Sequence, residues 1–96
     1  MKIKELPHVD RPREKLIKYG PGKLSNSELL AILLRTGRRG KSAVELAEQI
    51  LRTLGSENIT NADVAELVKT AGLGNAKACE IVACFELGRR LLRKKP

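Results

Sequence analysis

The stretch Leu67-Val68-Lys69-Thr70-Ala71-Gly72-Leu73-Gly74-Asn75-Ala76-Lys77-Ala78 decides how this chain folds. Two glycines flank one aliphatic residue, and glycine tolerates the positive φ that lets a chain reverse sharply between helices. Apolar residues at three- and four-residue spacing on both sides predict a short helix ending near Lys69 and a long one, capped by Asn75, running to about Arg93. Residues 60–93 therefore read as a helix-hairpin-helix. The missing Cβ atoms expose backbone N–H groups where the following helix begins, at its positive dipole end. The amides of Gly72, Gly74 and Asn75, with the charge of Lys77, are thus candidates for holding a phosphate. Leu73 should tuck under the turn, and Ala78 should let the two helices approach closely. The plain alternative is a glycine-rich connection with no ligand.

Working outward, every other segment also has helical periodicity, and none alternates like a half-buried strand. After an extended arm over 1–11, Pro12 opens a helix over 12–19 that Gly20-Pro21-Gly22 ends. Ser25-Asn26-Ser27-Glu28 is a capping box for a second helix reaching about Thr36. Leu29, Leu30, Ile32, Leu33 and Leu34 make that helix apolar nearly all round, so it should be the most buried. Ser42-Ala43-Val44-Glu45 is a second capping box, opening a helix with the stripe Val44, Leu46, Ala47, Ile50, Leu51 and Leu54 that Gly55 stops. Thr60-Asn61-Ala62-Asp63 is a weaker cap for the helix ending near Lys69. The expected architecture is all-α: a compact, SAM/HhH-like bundle of about five short helices. It forms a single domain over 12–93, followed by a basic tail at 94–96.

A shift of 35 residues lays Ile32 on Leu67, Gly37 on Gly72, Ala43 on Ala78, Leu46 on Ile81 and Ile50 on Phe85. Each half is then a helix, a glycine-bearing turn and a second helix, with the first half a degenerate copy of the second. The first turn, Gly37-Arg38-Arg39-Gly40, is one residue longer than Gly72-Leu73-Gly74. Arg35, Arg38, Arg39 and Lys41 cluster there without an acid among positions 35–41. Two such turns could each grip one strand's phosphates, contacts that are sequence-independent and salt-dependent. A solvated basic loop is the alternative. A third basic stretch, Arg89, Arg90, Arg93, Lys94 and Lys95, fits the solvated end of a helix or a linker better than a binding site.

The formal net charge of +8 on 96 residues favours a polyanionic partner. Tyr19 and Phe85 are the only aromatics, too few for a base-stacking platform. Gly40-Lys41-Ser42 is not a phosphate-cradling P-loop, because Arg35 stands where that loop needs its first glycine and a leucine-rich helix precedes it. No nucleotide cofactor is therefore expected. Cys79 and Cys84, five apart on one helix, cannot pair and read as small buried thiols. With His8 alone to join them they make no zinc site. No carboxylate pair stands at a turn; Glu45, Glu48, Glu66 and Glu80 read as surface charge. No catalytic or metal-binding residue is assigned. No apolar run suits a membrane span or a signal peptide, so the chain reads as cytoplasmic.

Taken together, Arg11-Pro12-Arg13-Glu14-Lys15-Leu16 with Tyr19-Gly20, then Leu24-Ser25, Glu28-Leu29-Leu30-Ala31-Ile32-Leu33-Leu34-Arg35-Thr36-Gly37, Gly40-Lys41-Ser42 and Glu86-Leu87-Gly88-Arg89-Arg90-Leu91 resemble the N-terminal region of the bacterial RadC family. The resemblance implies a helix-hairpin-helix domain followed, in longer members, by a JAB/MPN-like metal domain. That second domain holds zinc through a His-x-His motif with a downstream Ser and Asp. None of those residues is present here, so the chain is expected to be the non-enzymatic front domain of a protein whose family carries a DNA-repair label. The primary expectation is a DNA-binding module for duplex or branched DNA, using Gly72, Leu73, Gly74, Asn75, Lys77, Arg35, Arg38, Arg39 and Lys41. A monovalent cation in the hairpin turn stays open, and no other cofactor is expected. The rival is a scaffold that docks onto a C-terminal domain or a protein partner.

Overall fold

A computed structural model describes residues 11–37 and 40–93 of the chain. The expected arm and tail, residue 11 apart, lie outside the described residues, as do Arg38 and Arg39. Among the described residues there are six α-helices: α1 (Arg11–Tyr19), α2 (Asn26–Leu34), α3 (Ala43–Leu54), α4 (Ser56–Asn61), α5 (Val64–Ala71) and α6 (Asn75–Leu92). A 3-10 turn at Pro21–Lys23 links α1 to α2, and no strand occurs among the described residues. The all-α class is as expected. The chain divides into two units, residues 1–51 and 52–96, with the boundary inside α3.

In the first unit, Ser25 and Glu28 close the start of α2 reciprocally. The Glu28 N–H donates to Ser25 Oγ at 3.1 Å, and the Ser25 N–H to Glu28 Oε1 at 2.8 Å. The same carboxylate receives Lys15 Nζ at 3.1 Å, tying α1 to α2. Leu30, Ala31 and Leu34 are buried along α2, but Leu29 is 37% exposed. Ala43, Leu46, Ala47 and Ile50 are buried along the part of α3 in this unit, and Leu54, past the boundary, is buried as well. An all-round apolar helix such as α2 must leave a side out, whereas the strict stripe of α3 seats its apolar face and turns its polar side to solvent.

In the second unit, α4 was not expected. Its Ser56-Glu57-Asn58-Ile59-Thr60-Asn61 buries only Ile59, too little for a periodic signal. Side chains hold its backbone instead. Asn58 Nδ2 donates to the Leu54 carbonyl at 2.8 Å, and Asn61 Nδ2 to that of Glu57 at 3.0 Å. Gly55, at φ 84, both ends α3 and opens α4. Thr60 thus lies inside a helix, and Asp63 caps α5, accepting the Glu66 N–H at 2.7 Å. The helices α5 and α6 lie in contact. Leu67 and Ala78 are completely buried, with Ile81 nearly so. Full burial of one such leucine stabilises by about 1.5–3 kcal/mol. Cys79 and Cys84 are free and exposed, correcting the buried expectation. The inner face of α6 takes Ala78 and Ile81, and both thiols fall off that stripe.

Candidate functional site

Two helix ends meet across the three residues 72–74. The first, α5, stops because Gly72 adopts the left-handed conformation, φ 72 and ψ 22. Its N–H donates to the carbonyls of Leu67 and Val68, and the Leu73 N–H reaches Leu67 O at 3.4 Å. These amides close α5, so Gly72 contributes conformation and not, as expected, an outward donor. Leu73 is buried beneath the turn, as expected.

At the other end the cap of α6 is Gly74, not Asn75, which is its first residue. Gly74 has φ −71 and ψ 164, open to any residue, and a Cβ built on it meets nothing within 4 Å. The fold does not demand glycine there; its effect is to leave α6 with no side-chain cap. The opening N–H groups of an α-helix have no acceptor within the helix. At this end they belong to the exposed Gly74, Asn75 and Ala76. No acidic residue lies in the first turn of α6, and Lys77 is its third residue. Every other α-helix among the described residues carries an acid in its first turn: Glu14, Glu28, Glu45, Glu57 and Glu66 in order. The start of α6 alone among them is electrostatically open to an external anion. Lys69, exposed in the last turn of α5, adds a cation that sequence reasoning passed over.

The connection from α2 to α3 is differently made. It spans residues 35–42, so the expected turn only one residue longer than the second is corrected to eight residues against three. Arg35 ends α2 at φ 72 and ψ −51, and the Thr36 N–H donates to Leu34 O at 2.8 Å. This is the strained positive-φ γ-turn. It stops α2 at Leu34, short of the expected Thr36. Gly37 is required for a separate reason: a Cβ there would run into the backbone of Lys41 and Ser42. The Glu45 N–H donates to Ser42 Oγ at 3.1 Å and the Ser42 N–H to Glu45 Oε1 at 2.9 Å, so the start of α3 already holds a carboxylate. Among the described residues, the start of the second helix in this half is not open. Arg35 and Lys41 remain as exposed charge; Arg38 and Arg39 lie outside the described residues.

The C-terminal arginines are engaged on the protein. Arg89 Nη1 donates to the Thr60 carbonyl at 2.7 Å, stabilising the negative end of α4. Arg89 and Arg90 both bind Glu86, at 3.1 and 2.9 Å. The Arg90 hydrogen bond, then that of Arg89, holds the Glu86 carboxyl below its ordinary pKa. Nothing in the spacing distinguishes Arg89 as a structural tie, because its acceptor lies 29 residues away. Among the described residues no His, Cys, Asp and Glu side chains group as a metal site, and no helix is long and apolar enough to cross a membrane.

Residues 3–79 match the family model described as UPF0758 N-terminal. Similar relatives are UPF0758 proteins of Methanococcoides burtonii, 44% identical over 91 residues, and Bacillus pumilus, 46% over 92. A third, from Caldanaerobacter subterraneus, is 47% identical over 93 residues. These alignments cover 95–96% of this chain but 40–41% of the relatives. The chain thus spans about two fifths of the length of the curated relatives it matches. No solved structure matches it. With most of its length under the family model, the chain belongs to the UPF0758 family, the RadC-like proteins, and matches their N-terminal domain.

Proposed function

We propose that α5, the 72–74 turn and α6 form a helix-hairpin-helix that grips a backbone phosphate. The chain would then be the sequence-independent DNA-binding module of a cytoplasmic RadC-like protein. One observation carries the reading: among the described residues, the start of α6 is the α-helix start with neither an acid in its first turn nor a capping side chain, in a chain of net charge +8. A phosphate there meets the Gly74, Asn75 and Ala76 amides, with Lys77 and Lys69 supplying charge. The absent Gly74 side chain lets the sugar-phosphate backbone approach closely, while Gly72 and Leu73 hold the turn's shape. Arg35, Arg38, Arg39 and Lys41 act through their side chains alone. With two aromatics in the chain, recognition falls on the backbone of duplex or branched DNA and not on stacked bases.

Fluorescence titration of labelled duplex and branched DNA across a salt series tests this. For roughly three to four phosphate contacts, log K should fall with log salt at a slope of about −3. Undetectable binding at low salt, or binding indifferent to salt, overturns the proposal. No catalytic role is assigned to the chain; a hydrolytic activity in the longer family members would belong to their remaining length. The exposed leucines of α6 favour a second, compatible role as a docking scaffold.

A further inference from the structure

The end of α6 turns the usual amphipathic arrangement around. Arg89 lies on the edge tied to α4, through the Thr60 carbonyl, while Leu87, Leu91 and Leu92 are 57%, 74% and 83% exposed. At about 100° per residue, Leu87 and Leu91 lie roughly a quarter to a third of a turn round from the buried Ile81. The exposed Cys84 falls on the same stripe, and the half-buried Gly88 lies at its border with the Ile81 face. A Cβ on Gly88 would meet nothing within 4 Å, so this mid-helix glycine leaves a notch between leucines that the chain itself does not fill. A glycine in a helix interior is unfavourable unless something approaches it closely.

We infer that this stripe is the seat of the C-terminal portion carried by the longer UPF0758 relatives, docked in cis. Two observations select that occupant over a second copy of the chain. Three exposed leucines make up only a small part of the roughly 800 Å² per partner that a stable dimer buries. A tethered partner needs far less, because a short linker holds it at an effective concentration of about millimolar. The relatives supply such a partner, since this chain aligns with only 40–41% of their length. The notch at Gly88 fits an aliphatic side chain from the docked portion.

The experiment joins the 96-residue chain to the remaining length of the Caldanaerobacter subterraneus relative and measures backbone NMR relaxation in both parts. The two parts should tumble with one common correlation time. Leu87→Lys with Leu91→Lys should separate them into two shorter ones, while circular dichroism of the helices stays unchanged. Independent tumbling of the unsubstituted protein overturns the inference, as does common tumbling that survives both lysines. Sedimentation of the 96-residue chain alone should show a monomer at 100 μM or so. A dimer abolished by the same lysines would assign the stripe to a second copy and overturn docking in cis.

Discussion

Between Leu34 and Ala43 the chain takes eight residues to pass from α2 to α3; between Ala71 and Asn75 it takes three to pass from α5 to α6. Each passage needs a residue at positive φ to end the first helix. The short one uses Gly72, at φ 72 and without strain; the long one uses Arg35, also at φ 72, in a γ-turn. The starts of the second helices differ in the opposite sense. Ser42 and Glu45 close α3 with the chain's own hydroxyl and carboxylate, whereas Gly74 leaves α6 open. A helix start can be self-satisfied or available to a ligand, and the residue at its cap decides which. The stronger side-chain charge therefore sits at the closed turn and the stronger backbone field at the open one.

The largest expected effect comes from making the open turn resemble the closed one. Gly74→Asp places a capping carboxylate where the phosphate is proposed, at a φ and ψ that suit aspartate. DNA affinity should fall at least about tenfold while stability in urea rises by a few tenths of a kcal/mol. Unchanged affinity in the titration would remove α6 from the interface.

Next come the two positive-φ residues, which should respond with opposite signs. Gly72→Ala should destabilise by about 1–2 kcal/mol, the penalty of a left-handed residue with a Cβ. Arg35→Gly should stabilise by about 1 kcal/mol as the γ-turn strain is relieved. Chemical denaturation reads both, and equal signs would break the comparison.

Ser42→Ala opens the start of α3 and should cost about 1 kcal/mol in the same measurement. It should not raise DNA affinity, since Glu45 remains near that end.

The smallest effect is a pH dependence at the equally closed start of α2. The Ser25 N–H bond, helped by Lys15 and opposed by slight burial, holds Glu28 below the ordinary glutamate value of 4.5. A carboxyl depressed on folding stabilises above its ordinary value, and that contribution is lost as pH falls through the lowered one. Thermal unfolding between pH 6 and 3 should show a steeper acid loss for the unsubstituted chain than for Glu28→Gln, with the difference vanishing at the lowest pH.

Much of this fold was legible in residue order because its signals are local. The capping boxes at Ser25 and Ser42, the stop at Gly55 and the burial of Leu73 and Ala78 depend on neighbours within about one helical turn, where capping and periodicity act. The misses share the complementary cause. The helix α4 is held by side chains on its own backbone around a single buried isoleucine, and Arg35 accepts a conformation that intrinsic preference opposes. The apparent repeat at a shift of 35 aligned apolar spacing but not the geometry of the turns, since Gly37 is needed for close approach and Gly72 for positive φ.

The sequence by itself determined the all-α class, the capped helix starts at Ser25 and Ser42, the family and the glycine turn as the place to look. Only the folded chain decided that the Gly72 amide turns inward, that the two cysteines and the last leucines of α6 face out, and that Arg89 is a tie to α4. Those outcomes depend on which side of a helix is covered, and on acceptors tens of residues away. The start of α6 joins both kinds of information: residue order puts glycine at its cap, and in the fold no side chain caps that end, while a Cβ on the glycine would meet nothing within 4 Å.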